Sequence, residues 1–154
     1  MEGNIKNSII IVGNPKKIFE FTNDVENWNF LFDEYESVNI IEKGTDYVKF
    51  ELVTVADKEG QIKRWISERF TDSVNMQVKA NRLNPLFPFE YMKIYWTYEI
   101  LPNDCGVFLT WRQRFVLDKK CPYSLCEMES HLNRTSIHEL ERIRERMEKI
   151  LNEK

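Results

Sequence analysis

Cysteine is scarce, and its spacing rules out two common frameworks. The three cysteines, Cys105, Cys121 and Cys126, are odd in number and form no C-x-x-C pair. They suit free thiols in a reducing compartment, not a disulfide scaffold or a zinc site. Long apolar runs are missing as well: the longest, Ile9-Ile10-Ile11-Val12, is far too short to span a bilayer. The opening residues Met1-Glu2-Gly3-Asn4 show no charged-then-apolar signal pattern. Nor is there a surplus of positive charge, and a net charge of −3 does not supply the basic face that phosphate neutralisation requires. No Ser/Gly-rich linker, repeat or low-complexity tract interrupts the 154 residues. These absences describe a soluble, cytoplasmic protein of one domain, residues 1–154, with neither nucleic acid nor membrane as partner.

What the chain has in excess is aromatic side chains. Ten Phe, six Tyr and four Trp make 13% of the residues. Such residues build cores, and they also line pockets for apolar and conjugated ligands. Composition leaves both readings open.

Periodicity then places them. Residues 5–12 are a β-branched run stopped by Gly13-Asn14-Pro15, where Asn14 can cap a helix that begins on Pro15. Ile18, Phe19 and Thr22 recur at helical spacing, and after Asn23-Asp24 a second short helical turn presents Val25, Trp28, Leu31, Phe32 and Tyr35. From about residue 37 the period changes to two. Val48, Phe50, Leu52 and Thr54 alternate with Lys49, Glu51 and Val53, and Asp57-Lys58-Glu59-Gly60 reads as a hairpin turn. Residues 61–71 and 74–82 form a further hairpin, followed by strands over 90–101 and 105–117. The last thirty residues carry Leu125, Met128, Leu132, Ser136, Leu140, Ile143, Met147 and Ile150 as one stripe of a long helix. Its other face holds Glu139, Glu141, Arg142, Arg144, Glu145, Arg146, Glu148 and Lys149, a solvated face by composition.

The expected architecture is therefore α+β: an antiparallel sheet of six to seven strands wrapped around a long C-terminal helix, with two short helices after the first strand. One helix and a short helical pair cover such a sheet only incompletely, which leaves room for a cavity.

Which residues would face that cavity is partly legible. Arg112 and Arg114 share one side of the last strand and demand water, so Trp111 and Gln113 point inward. In the preceding strand Met92, Ile94, Trp96, Tyr98 and Ile100 form the apolar side. In Arg64-Trp65-Ile66-Ser67-Glu68-Arg69-Phe70, alternation separates Trp65, Ser67 and Arg69 from Ile66 and Phe70 without deciding which set is inside. No Ser/His/Asp set, P-loop, dinucleotide fingerprint or metal-ligand cluster offers competing chemistry.

Over roughly residues 7–150 the chain resembles the bacterial aromatic polyketide aromatase/cyclases of the tetracenomycin type. The matching pieces are Asn7-Ser8-Ile9, Thr22-Asn23-Asp24-Val25-Glu26-Asn27-Trp28, Leu31-Phe32 with Glu34-Tyr35, and Trp65-Ile66-Ser67-Glu68-Arg69. They continue with Pro88-Phe89-Glu90-Tyr91-Met92, Trp96-Thr97-Tyr98, Trp111 with Gln113, and His131-Leu132-Asn133. Their order and spacing carry the match.

The resemblance implies the helix-grip fold of the START and Bet v 1-like superfamily. It implies a cavity faced by Trp65, Ser67 and Arg69 and lined by Trp28, Phe32, Tyr35, Phe89, Met92, Trp96, Trp111, Gln113, His131 and Asn133. It further implies aldol closure and dehydration of the first ring of a poly-β-ketone delivered by acyl carrier protein, with no cofactor or metal, by a monomer or weak homodimer. Arg69, Tyr35 and Ser67 would carry the chemistry: Arg69 holding an enolate or alkoxide, Tyr35 relaying a proton, Ser67 orienting the chain or a water. Lys16-Lys17, Arg112, Arg114 and Lys119-Lys120 are candidate docking cations. Phe87, in a loop bulkier than the family pattern, is placed to narrow the pocket. A non-catalytic carrier of a lipid, quinone or aromatic metabolite would use the same cavity and stays open as the rival.

Overall fold

The β-branched run opens β1 (Glu2–Val12) in the computed structural model, which describes residues 1–152. Gly13 breaks the strand, and Asn14 caps α1 (Pro15–Asn23), its Oδ1 accepting the backbone N–H of Lys17 at 3.0 Å. Pro15 opens the helix where a missing N–H costs nothing. The helix buries Ile18, Phe19 and Thr22, as their spacing predicts. A 3-10 turn over Val25–Asn27 leads into the single turn α2 (Trp28–Leu31). The spacing of Trp28, Phe32 and Tyr35 suggests one helical stripe, but Phe32 is extended and Tyr35 is the first residue of a strand. Both geometries put the three rings on one side, so periodicity does not separate them.

The remaining strands are β2 (Tyr35–Lys43), β3 (Tyr47–Thr54), β4 (Arg64–Asp72), β5 (Gln77–Asn84), β6 (Phe89–Ile100) and β7 (Gly106–Leu117). They form one antiparallel sheet in the order β1-β7-β6-β5-β4-β3-β2. The β4–β5 hairpin starts and ends two to three residues later than the expected 61–71 and 74–82, because Asp72 closes the turn by accepting the N–H groups of Val74 and Asn75. β1 closes on the last strand, with register running from Glu2 opposite Val116 to Val12 opposite Gly106. The first two strands thus lie at opposite edges, and α1 and α2 carry the chain between them.

The final helix, α3 (Leu125–Asn152), packs its predicted stripe on this sheet. Met128, Ser136, Leu140, Ile143 and Met147 are buried, and Leu125, Leu132 and Ile150 are partly so. One assignment fails: Glu139, expected on the solvated face, is only 1% exposed. The loop after α2 covers it and satisfies its oxygens with backbone N–H groups. Two apolar clusters result, one around Ile18, Leu31, Leu109 and Ile143, the other around Ile5, Phe89, Phe115 and Met128. No helix among the described residues is long and apolar enough to cross a membrane.

Candidate active site

Between the sheet, α2 and α3 lies a cavity of about 130 Å³. α2 and the residues after it supply Trp28, Phe32, Glu34 and Tyr35, and β4 supplies Trp65, Ser67 and Arg69. Phe89, Met92 and Trp96 of β6, Trp111 and Gln113 of β7, and His131, Leu132, Thr135 and Ser136 of α3 complete most of the wall. The face of β4 that alternation left undecided is thereby settled: Ser67 and Arg69 are buried, while Phe70 is 45% exposed.

Arg69 is held inside by partners that carry no negative charge. Its Nε and Nη2 donate to Asn23 Oδ1 at 3.1 and 2.8 Å. Asn23 is oriented for this by its own amide nitrogen, which donates to Phe19 O at 2.8 Å and Tyr98 Oη at 3.1 Å. The guanidinium carbon lies 4.5 Å from the ring centre of Trp96 and 4.9 Å from that of Trp28, within cation–π range. No carboxylate forms an ion pair with it among the described residues. Burial pushes its pKa down to about 10, so the side chain is still a cation at neutral pH.

The other polar groups are arranged around this cation. Tyr35 is buried against Trp28, with ring centres 6.0 Å apart and nearly parallel. Burial first, then the nearby carboxyls of Glu34 and Glu139, hold its hydroxyl well above the usual phenol range. It is therefore a donor. Neither Tyr35 nor Ser67 spends its hydroxyl on another described residue. Gln113 Nε2 donates to Ser136 Oγ at 2.7 Å, and Ser136 in turn donates to Leu132 O at 2.6 Å, tying β7 to α3 across the cavity wall. The indole N–H groups of Trp96 and Trp111 are buried with no hydrogen-bond partner among the described residues. Such groups are rare in folded proteins, and each calls for a physical explanation.

Three features of the cavity and its surroundings were not foreseen. Glu34, whose backbone N–H donates to Glu139, is part of the cavity wall; burial and then the charge of Glu139 push its pKa up to about 7, against the opposing pull of Lys63 and Arg82. Arg82 lies 4.6 Å over the Trp65 ring and donates to Pro85 O and Phe87 O at 2.9 and 3.1 Å. Asn23 and Tyr98 set the position of Arg69. Glu34 stood beside Tyr35 in the sequence and Arg82 two residues beyond the inward Ala80, so adjacency and alternation were the available signals.

Two relatives share much of the sequence. A Streptomyces cyaneus protein named, provisionally, as a polyketide cyclase is 34% identical over 150 residues, 97% of each chain. A Streptomyces halstedii protein of the same provisional name is 40% identical over 111 residues, 72% of this chain and 99% of its own. The chain belongs to the polyketide cyclase family. No family model matches it.

Solved structures agree on the fold of this cyclase. The Zhui aromatase/cyclase from Streptomyces sp. R1128 superposes with a TM-score of 0.78 at 17% identity, covering 95% of this chain and 91% of that one. A START superfamily protein from Mycobacterium smegmatis gives 0.69 at 12% identity over 97% of both. The helix-grip architecture of the START and Bet v 1-like proteins is the fold of the cyclase.

Of the residues singled out from the sequence, the cyclase brings twelve to one cavity and leaves one outside. Asn133 accepts a hydrogen bond from Asn7 Nδ2 at 3.0 Å, at the contact of α3 with β1. The helix turns about 100° per residue, so His131, Leu132, Thr135 and Ser136 meet the cavity while position 133 is rotated toward the sheet edge. His131 is exposed at the rim, with burial and then the nearby Lys63 and Arg134 lowering its pKa. Phe87 is 52% exposed and does not enter the wall. Two of the candidate docking cations are occupied, Lys16 by Glu20 at 4.0 Å and Arg114 by Glu2 at 3.0 Å.

Proposed function

We propose that this cyclase directs the first ring closure and dehydration of a poly-β-ketone carried on acyl carrier protein. One observation supports the reading above the others: Arg69 is a desolvated cation with no carboxylate to neutralise it among the described residues. A buried charge costs several kcal/mol, on the order of the stability of a whole domain, unless partnered. A cavity that only stored an apolar metabolite would have no use for it.

The chemistry asks for what the wall supplies. A carbon between two carbonyls is acidic, so forming the enolate is easy; folding the chain in one register and holding negative oxygen are the hard parts. Arg69 offers its guanidinium donors to the enolate or the alkoxide that forms when the enolate carbon attacks a second carbonyl. Tyr35 donates a proton to that alkoxide, and Ser67 orients the chain or the departing water. The aromatic walls exclude water and restrict the chain to few conformations. The unpartnered N–H groups of Trp96 and Trp111 favour a ligand rich in carbonyl oxygens over a hydrocarbon chain.

Reconstitution with a minimal polyketide synthase and its carrier protein tests the reading. The wild-type protein should shift the product mixture toward one ring pattern, and Arg69→Ala should remove that shift while keeping a native circular dichroism spectrum. Identical mixtures with wild type and Arg69→Ala would return the cavity to the carrier reading.

A further inference from the structure

Arg69, Tyr35 and Ser67 can hold, donate and orient, but none of them accepts a proton from carbon at neutral pH. Arg69 is already protonated, and Tyr35 and Ser67 are neutral donors. A group that takes the proton of the first step and returns it when water leaves would complete the set. We propose that Glu34 is the proton-transfer residue of the cavity and that Glu139 of α3 is its positioning residue. The proposal rests on the ring-closing function argued above.

The loop between α2 and β2 is clamped to α3 at several points. Glu139 Oε1 and Oε2 accept the backbone N–H groups of Asp33 and Glu34 at 3.2 and 3.3 Å. The Asp33 side chain bonds Arg146 Nη2 and His138 Nε2, each at 2.6 Å. Arg146 also donates to Leu31 O at 3.2 Å. The backbone that carries Glu34 is fixed on both flanks, yet the Glu34 carboxyl itself takes no hydrogen bond from the described residues. Glu34 and Tyr35 both belong to the cavity wall.

The charged groups around it do not neutralise it. Arg82 of β5 is turned to Trp65 and to the carbonyls of Pro85 and Phe87. Lys63, ahead of β4, acts only at long range and forms no ion pair with it among the described residues. From α3 the facing groups are Glu139, a second carboxylate, and His138 and Arg146, both engaged by Asp33; His131 stands at the rim. Tyr35 of β2 is neutral. Two like charges brought together in a partly buried place oppose ionisation, and such a carboxyl is poised to exchange a proton near neutral pH.

The proton balance closes without an added reagent. Glu34 takes a proton from the carbon between two carbonyls, and that C–H pair becomes the enolate. The enolate carbon bonds to the second carbonyl carbon, whose π pair moves to oxygen, and Tyr35 protonates that oxygen. Glu34 then returns its proton to Tyr35 and, a carboxylate again, takes a second carbon-bound proton, whose C–H pair forms the double bond as the hydroxyl departs. The proton held by Glu34 goes to that hydroxyl, which leaves as water.

The test uses the full chain in the reconstituted system, with the rate of ring-patterned product followed against pH. Glu34→Gln should lower that rate about 100-fold, the lower end of what a positioned acid–base group contributes. Glu139→Gln removes the charge that opposes ionisation of Glu34 and should move the acid limb of the profile to lower pH. The carboxyl carbon of Glu34, followed by NMR in protein labelled at glutamate, should titrate near neutrality in the wild type and lower in Glu139→Gln. Should Glu139→Gln not fold, the wild-type titration stands alone: ionisation in the ordinary carboxylate range overturns the proposal. A Glu34→Gln profile that overlays the wild type overturns it while the cyclase function stands. Undirected products from the wild type overturn both.

Discussion

Burial acts against the charged form of both Arg69 and Glu34, with opposite consequences at neutral pH. Arg69 falls to about 10 and keeps its charge, whereas Glu34 rises to about 7 and divides between two states. The sign for stability follows. The folded pKa of Glu34 lies above its unfolded value of 4.5, so the folded protein binds the proton more tightly. That contribution is fully present below about 4.5 and is lost as pH rises through about 7. A shift of this size is worth about 3 kcal/mol at most. Glu34→Gln is therefore expected to match the wild type in acid and to exceed it in mildly alkaline solution, by an amount approaching that figure, in urea denaturation on either side of the transition. The substitution that stabilises the fold is the one that removes the proposed proton carrier, a trade between stability and function common at working sites.

At the scale of elements, β1 closes the sheet only because Gly106 stands opposite its end. A Cβ on Gly106 would lie 2.3 Å from Ile11 O and 3.1 Å from Val12 Cα. Those are backbone atoms, and they cannot swing aside as a long side chain does. Gly106→Ala should cost about 1–3 kcal/mol, the usual range for overpacking, read as a lower urea midpoint with an unchanged slope. Gly44→Ala is the matched control, since its nearest neighbours would be at 3.7 Å or beyond, an ordinary contact. α3 has a different task. Its apolar stripe covers the sheet, while Glu139, His138 and Arg146 grip the loop that carries Glu34 and Tyr35. The stripe was legible from three- and four-residue spacing, but the grip was not. A glutamate among arginines and other glutamates reads as solvated until the loop that covers it is known.

The whole molecule gathers all four tryptophans, Trp28, Trp65, Trp96 and Trp111, onto one cavity. A conjugated aromatic ligand entering it should quench most of the intrinsic tryptophan emission in a single saturable titration. A ligand bound elsewhere would leave that emission largely unchanged. Such concentration is not a general property of cores. It arises because β4, β6, β7 and α2 each send one indole to the same side of a single sheet.

Local chemistry written in the chain determined the elements, their order and much of the wall. A cap beside a proline, alternation at period two and a stripe near 3.6 act within a few residues and need no partner. The inward set of β7 also followed locally, because Arg112 and Arg114 must reach water. Alternation left the face of β4 open, the family resemblance implied it and the tertiary structure shows it; the burial of Glu139 and the outward turn of Asn133 were decided by the tertiary structure alone. Each depends on a partner far along the chain. Asn23, which receives Arg69, is 46 residues away from it, and Glu34, held by Glu139, is 105 away. Periodicity assigns a residue to a face. Whether a charge can lie on the buried one is decided by which distant groups the fold brings to meet it.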